Sequence, residues 1–379
     1  MMVTARRNGA FWGASTEVFV GALMAIFSAC AAVSALAQEA TTAASAAATP
    51  ARNGIAVPRI KNHLIAADMG LIINTADPYS VAVGEYYAAK RGIPEAQVLY
   101  VKLPVRPVLT LQEFEALQAQ VRAAMPARAQ ALALAWTQPY AVECNSITSA
   151  LTLGFQPDIC TQTCNASLPS RYFNNASERP YADLTLRPSM LLASKTVESA
   201  KALIDRGIAS DKQLGKRGAP DANAVFVNTD DKARSVRTVL FPPAGGIKGA
   251  GVTVQLREGA DTAAMERVVV YQTGAAKVEP IDNAQWVNGA LADHLTSYAG
   301  QLLDAQGQMS ALEWLESGAT ASYGTVSEPC NHLQKFPHPQ VLLVNYMQGA
   351  TAIEAYWRSV AWPAQGVFVG EPLAAPFAR

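Results

Sequence analysis

Ala131-Leu-Ala-Leu-Ala-Trp136 is the segment whose reading decides how this chain folds. It offers no polar face, so it reads as a strand buried on both sides, as strands are in a parallel sheet covered above and below by helices. Strands of the same kind lie outward from it at Leu71–Asn74, Val98–Leu103, Ser189–Ala193, Ala224–Asn228, Val252–Leu256, Val268–Tyr271, Ala319–Val326 and Gly366–Gly370. Helix signals fill the intervals. Asp77-Pro-Tyr-Ser80 opens a helix to about Arg91, which Gly92 and Pro94 close, and Asp77 reads as its N-cap. Thr110 with Glu113 forms a capping box for Leu111–Ala124. Thr196 starts a helix to Arg206 that Gly207 ends. Further helices are expected over 230–238, over 311–317 behind Ser310, and over 340–360 with a break at Gly349. The alternation predicts an α/β fold with a mainly parallel sheet and helices on both faces. It reads as one domain over 58–379, with a division into two subdomains near 180–220 as the alternative.

Residues 1–37 read as an export signal. Arg6 and Arg7 supply the positive start, an apolar run extends from Val18 to Ala37, and Ala35-Leu-Ala37 precedes a cleavage point at Gln38. The run is also long enough to span a bilayer if left uncleaved. Phe27-Ser-Ala-Cys30 offers a second processing route, a lipid anchor on Cys30. Residues 38–57 are small and polar and read as a flexible leader. The expected location is therefore periplasmic or extracellular. Lys+Arg and Asp+Glu are equal at 30 each, with no basic stripe, which argues against nucleic acid as a partner. No later segment is long and apolar enough to span a membrane.

Beyond Cys30 the chain carries Cys144, Cys160, Cys164 and Cys330. An even number in an exported protein points to two disulfides. Three of the four fall in a long polar stretch from Thr137 to about Arg187, which reads as a loop held by disulfides. Four cysteines allow three pairings. Cys144 follows a strand, which places it on the carboxyl-end face with Cys330, so Cys144–Cys330 with Cys160–Cys164 is one arrangement that satisfies every thiol. Cys160 and Cys164 with His332 and His338 could otherwise hold zinc, although oxidised cysteines are the better expectation outside the cytoplasm. The glycine-rich Ala244–Gly251 lacks the Ser or Thr of a P-loop. Thr320-Ala-Ser-Tyr-Gly324 lacks the first glycine of a nucleophile elbow. No cofactor or metal is called for.

Ligands of parallel sheets gather beyond the strands' carboxyl ends. Cys330 follows the strand at Ala319–Val326, and His294 ends a segment that begins near Val287. This order of His and then Cys on neighbouring strands resembles that of caspase-like cysteine peptidases, including the gingipain type. The resemblance implies a three-layer fold and a thiolate at Cys330 formed by proton loss to His294. Leu295 stands where that family has Gly, and Pro329 where it has a small residue. Asp293 and Glu328 are candidate acids of the same site turns. The competing reading puts Cys330 in a disulfide.

A second resemblance covers the chain from about Leu64 to its end. It is carried by Ser80–Pro94 (SVAVGEYYAAKRGIP), Trp314–Pro329 (WLESGATASYGTVSEP), Gly349–Trp357 (GATAIEAYW) and Gly370–Leu373 (GEPL). These segments resemble an uncharacterised family of exported bacterial proteins found with the exosortase/PEP-CTERM sorting system. The resemblance implies an accessory, non-catalytic role in surface-protein sorting or exopolysaccharide export, with components of such a system as partners. It also implies Tyr in place of Cys330 in many members, which moves interest to Glu328. Two other functions stand beside it. One is a cysteine peptidase or transpeptidase using Cys330 and His294; the other is a small-ligand-binding module at the strand ends.

Overall fold

The computed structural model of the protein describes residues 57, 58, 60–259, 261 and 263–379. The segments expected to be an export signal (1–37, with Cys30) and, but for residue 57, a flexible leader (38–57) lie outside the described residues.

The first part of the chain supplies β1 (Met69–Asn74), α1 (Pro78–Arg91), β2 (Val98–Val101), β3 (Val108–Leu109), α2 (Leu111–Ala124) and β4 (Ala131–Leu134). Local chemistry sets the helix ends. The Asp77 carboxylate accepts from the Tyr79 N–H, Pro78 occupies the first turn, and Gly92 closes α1 at φ 68°. Thr110 and Glu113 form the expected capping box on α2.

The stretch expected to be an irregular loop contains β5 (Ala141–Val142), β6 (Asn145–Ser146), α3 (Ile147–Leu153), α4 (Asp158–Thr161) and α5 (Pro180–Leu184). Short elements of this kind can hide in a polar sequence, because much of their support is side-chain capping and distant backbone. Ser146 caps α3, and its N–H bonds to the Ala364 carbonyl.

β7 (Ser189–Leu191) and α6 (Val197–Ser210) follow. α6 runs through Gly207 rather than ending there. A Cβ at Gly207 would lie 2.5 Å from the Glu371 carboxylate, so this glycine answers a close approach and not a helix stop. Next come β8 (Ala222–Asn228), β9 (Gly245–Ile247), β10 (Val252–Glu258), β11 (Met265–Gly274) and β12 (Ala284–Leu295). The helix expected over 230–238 is instead a 3-10 segment at Ser235–Leu240, and part of the glycine-rich stretch is strand β9. α7 (Ala311–Ser317), β13 (Ala321–Thr325), α8 (Pro339–Gln348), α9 (Ala352–Ser359) and β14 (Gly366–Gly370) complete the chain. The break between α8 and α9 falls at Gly349, at φ 106°.

Eleven strands form one sheet in the order β2-β1-β4-β7-β14-β13-β12-β11-β8-β10-β9. All neighbours are parallel except β13/β14 and the edge pair β9/β10. The sheet is therefore two parallel halves that run in opposite directions and meet at an antiparallel seam. Ala321 pairs with Gly370 there, and Thr325 with Gly366. The carboxyl edge of one half lies beside the amino edge of the other.

Both faces are buried. Leu71, Ile73, Met190 and Phe368 pack toward α1, α6, α8 and α9, while Ile72, Leu132, Leu191 and Val369 pack toward α2, α3 and α7. The Trp357 ring stacks on Phe368 at 4.2 Å, which fixes α9 against β14. The result is three layers, as the continuous apolar strands foretold.

An ion cluster secures the far end of β14. Glu371 is fully buried and accepts from Arg91 Nε at 3.0 Å, Arg91 Nη2 at 2.6 Å and the Tyr87 hydroxyl at 2.9 Å. Arg91 also meets Asp211 at 2.5 Å. Removing one member of such a pair strands its partner in the interior. Glu371→Ala is expected to lower stability by about 3 kcal/mol, because Asp211 remains to Arg91. Urea unfolding measures this.

Candidate functional site

The carboxyl edge of the second half gathers the residues singled out by sequence. Asp293 and His294 lie near the carboxyl end of β12, just before its last residue Leu295, and Cys330 lies five positions beyond the end of β13. Successive strand residues point to opposite faces, and these two do so. Asp293 turns toward the α8/α9 layer and His294 toward α7. They do not form an acid–imidazole unit.

Asp293 is 1% exposed. Its carboxylate accepts from Arg237 Nη1 at 2.5 Å and from Gln272 Nε2 at 2.8 Å. Burial pushes its pKa up, and the Arg237 guanidinium opposes that shift. Arg237 donates further to the Thr273 carbonyl at 2.8 Å and the Pro337 carbonyl at 3.2 Å. This buried pair ties β11, β12 and the chain before α8 to the 3-10 segment after β8. Sequence reasoning missed Arg237, because it lay in a stretch read as an ordinary helix. Its own signal, an arginine just past a core strand, is common on solvated surfaces.

His294 is also 1% exposed. Nδ1 accepts from the Trp314 indole N–H at 2.9 Å, and Nε2 meets the Met309 carbonyl at 3.1 Å. These partners define one neutral tautomer, with the proton on Nε2. Burial drives the pKa of His294 down to about 3.

Cys330 is joined to Cys164, and Cys144 to Cys160. The nested arrangement Cys144–Cys330 with Cys160–Cys164 is therefore replaced by a sequential one, in which neither bridge encloses the other. Cys144 does reach the Cys330 turn, where its carbonyl accepts from Ser327 Oγ at 2.7 Å. It arrives because 135–146 crosses back over the sheet to the amino end of β14, and not because it extends the carboxyl end of β4. With both sulfurs oxidised, Cys160 and Cys164 offer no thiolate to the zinc arrangement weighed with His332 and His338.

The turn is built around Glu328. Its carboxylate accepts from the Cys330 N–H at 2.8 Å, and its carbonyl accepts from Gln365 Nε2 at 2.8 Å. Cys330 and Asn331 follow in left-handed conformations at φ 57° and 48°. Lys335 sits below, fully buried, with Nζ donating to the Thr163 carbonyl at 2.6 Å. Burial lowers its pKa to about 8, partly offset by Glu328. The cysteine-bearing loop is thus fastened to the turn by a disulfide and a lysine. Lys335 was not visible in sequence, because no periodicity surrounds it.

The fold and this edge define an α/β protein with a mostly parallel eleven-stranded sheet and two disulfides. No known family profile and no curated protein matches the chain. Among solved structures, it is similar to one described as a protease, at 9% identity and TM-score 0.44, covering 83% of this chain and 79% of that one. It is also similar to the Arg-specific cysteine proteinase gingipain R, at 12% identity and TM-score 0.41, covering 84% and 79%. Likeness at this level leaves the chemistry of this chain to its own residues.

The His294 environment sets a pH dependence. The unfolded chain takes up a proton near pH 6.5, and the folded ring only near 3. The unfolded state binds more protons between these values, so the stability due to neutral His294 is complete above about 6.5 and falls as pH drops toward 3. The expected slope is about 1.4 kcal/mol per pH unit for this one proton. Denaturant unfolding between pH 4 and 6 should show a slope smaller by that amount in His294→Gln.

Proposed function

We propose that this chain is an exported binding protein in which the Cys330 turn is a braced structural edge and not a nucleophile. One observation carries the reading: Cys330 is bonded to Cys164, while both ring nitrogens of His294 are engaged inside the core. A thiolate nucleophile needs a free sulfur and a base within reach of its proton, and no hydrogen bond joins these two residues among those described. The two disulfides favour an oxidising compartment, which agrees with an export signal at the start of the chain. The accessory role in surface-protein sorting or polysaccharide export rests on the family resemblance of Ser80–Pro94 and Trp314–Pro329. Glu328 then serves the turn, as the acceptor that holds the Cys330 N–H.

Thiol counting tests this directly. Oxidised protein recovered from the periplasm should show no reactive thiol at Cys144, Cys160, Cys164 or Cys330 when denatured without reductant. Labelling of native Cys330 by an electrophilic peptidase probe, lost in His294→Ala, would instead establish the peptidase. The Cys164→Ser, Cys330→Ser double variant should remain folded at neutral pH but lose about 2–5 kcal/mol, because the bridge closes a long loop. Guanidinium unfolding reads that loss.

A further inference from the structure

A cleft of about 420 Å³ lies beside the amino ends of β4 and β7, distant in sequence from the Cys330 turn. Arg122, Arg171 and Arg187 line it, and no Asp or Glu does among the described residues. Leu132, Leu151 and Leu186 supply apolar wall, beside the polar Gln118, Thr152 and Thr185.

Arg187 is the unusual member. It is 8% exposed, and it has no carboxylate partner among the described residues. The two other arginines buried to that degree are both paired, Arg237 with Asp293 and Arg358 with Glu354. Arg187 is held instead by carbonyls. Nε donates to Ala129 O at 2.9 Å, and Nη2 to Met125 O at 3.2 Å and Pro126 O at 3.1 Å. Its guanidinium carbon lies 3.5 Å over the Tyr181 ring. These contacts satisfy N–H groups and orient the fork, but they bring no negative charge to it. Burial accordingly pulls its pKa down, with only Tyr181 opposing. A desolvated cation without an anion is costly to keep. Arg171 is similarly turned to a carbonyl, that of Leu184, and Arg122 adds a third positive charge from the end of α2.

We propose that this cleft binds a small amphiphilic oxyanion, with a carboxylate or phosphate head on the arginines and a short apolar body against the leucines. The carbonyl contacts of Arg187 use Nε and Nη2 and leave its Nη1 edge, which with the exposed guanidinium groups of Arg122 and Arg171 suits such a head group. An apolar wall with a few converging polar groups is the common build of a small-molecule site. The Cys330 reading does not depend on this cleft, and the two are tested separately.

The test uses the intact oxidised protein at low ionic strength, with hexanoate, hexyl phosphate and hexanol as probes. Calorimetry and thermal melts should show saturable binding and stabilisation by at least one of the two anions, and none by hexanol. The tighter of the two anions identifies the head group. Arg122→Gln and Arg171→Gln alter exposed residues and should leave the ligand-free melting temperature unchanged while weakening anion binding about tenfold each. Binding of hexanol as tight as that of the anions, no binding by either anion, or unchanged anion affinity in both variants would overturn the proposal.

Discussion

The antiparallel seam between β13 and β14 is the constraint on which the rest of this structure depends. Five residue pairs, from Ala321/Gly370 to Thr325/Gly366, join two parallel halves that run in opposite directions. Because of that reversal, the amino end of β14 stands next to the carboxyl end of β13. Ser146, Thr148 and Ser149 all donate to the Gly366 carbonyl, and Ser149 also to that of Pro363, which anchors α3 at this edge. The cysteine-bearing loop is thereby brought to the Cys330 turn. Had β14 run the other way, Glu371 and Gly366 would exchange edges. The Arg91 cluster and the disulfide loop would then both lose their anchors.

Much of this architecture was legible from residues. Apolar runs such as Ala131–Trp136 signalled burial on both faces, and Asp77, Thr110 and Gly349 marked helix ends where caps and left-handed backbone demand those residue types. Strand direction was not legible. Gly366–Gly370 is apolar throughout, and a buried strand reads the same in either orientation, so the seam left no trace in composition. Gly207 misled for a related reason. A glycine required by Glu371, distant in sequence, looks like one required by a local helix stop.

The candidate site was less legible than the fold. The tendency of residues to gather at strand carboxyl ends correctly brought Asp293, His294, Glu328 and Cys330 to one edge. It could not say that the first two face opposite layers, or that Arg237 completes the ion pair. Cysteine parity foretold oxidation, but pairing depends on where the Cys144 loop travels, and that is set by hydrogen bonds to β14. Most of the buried arginines follow one rule, from which Arg187 departs. Arg91, Arg237 and Arg358 each meet a carboxylate, and each links elements distant in sequence or braces a helix packed on the sheet.

The Cys164–Cys330 bridge closes a covalent ring that contains β7 and every strand from β8 to β13. β14 lies outside the ring, yet its two neighbours in the sheet, β7 and β13, belong to it. β14, which follows the ring in sequence, is therefore the strand that joins β7 to β13. A chain that has emerged as far as Cys330 can close its ring, but the continuous sheet waits for Gly366–Gly370. Completion of the sheet is in this way tied to delivery of β14, so a protein interrupted before Gly366 would expose the facing edges of β7 and β13.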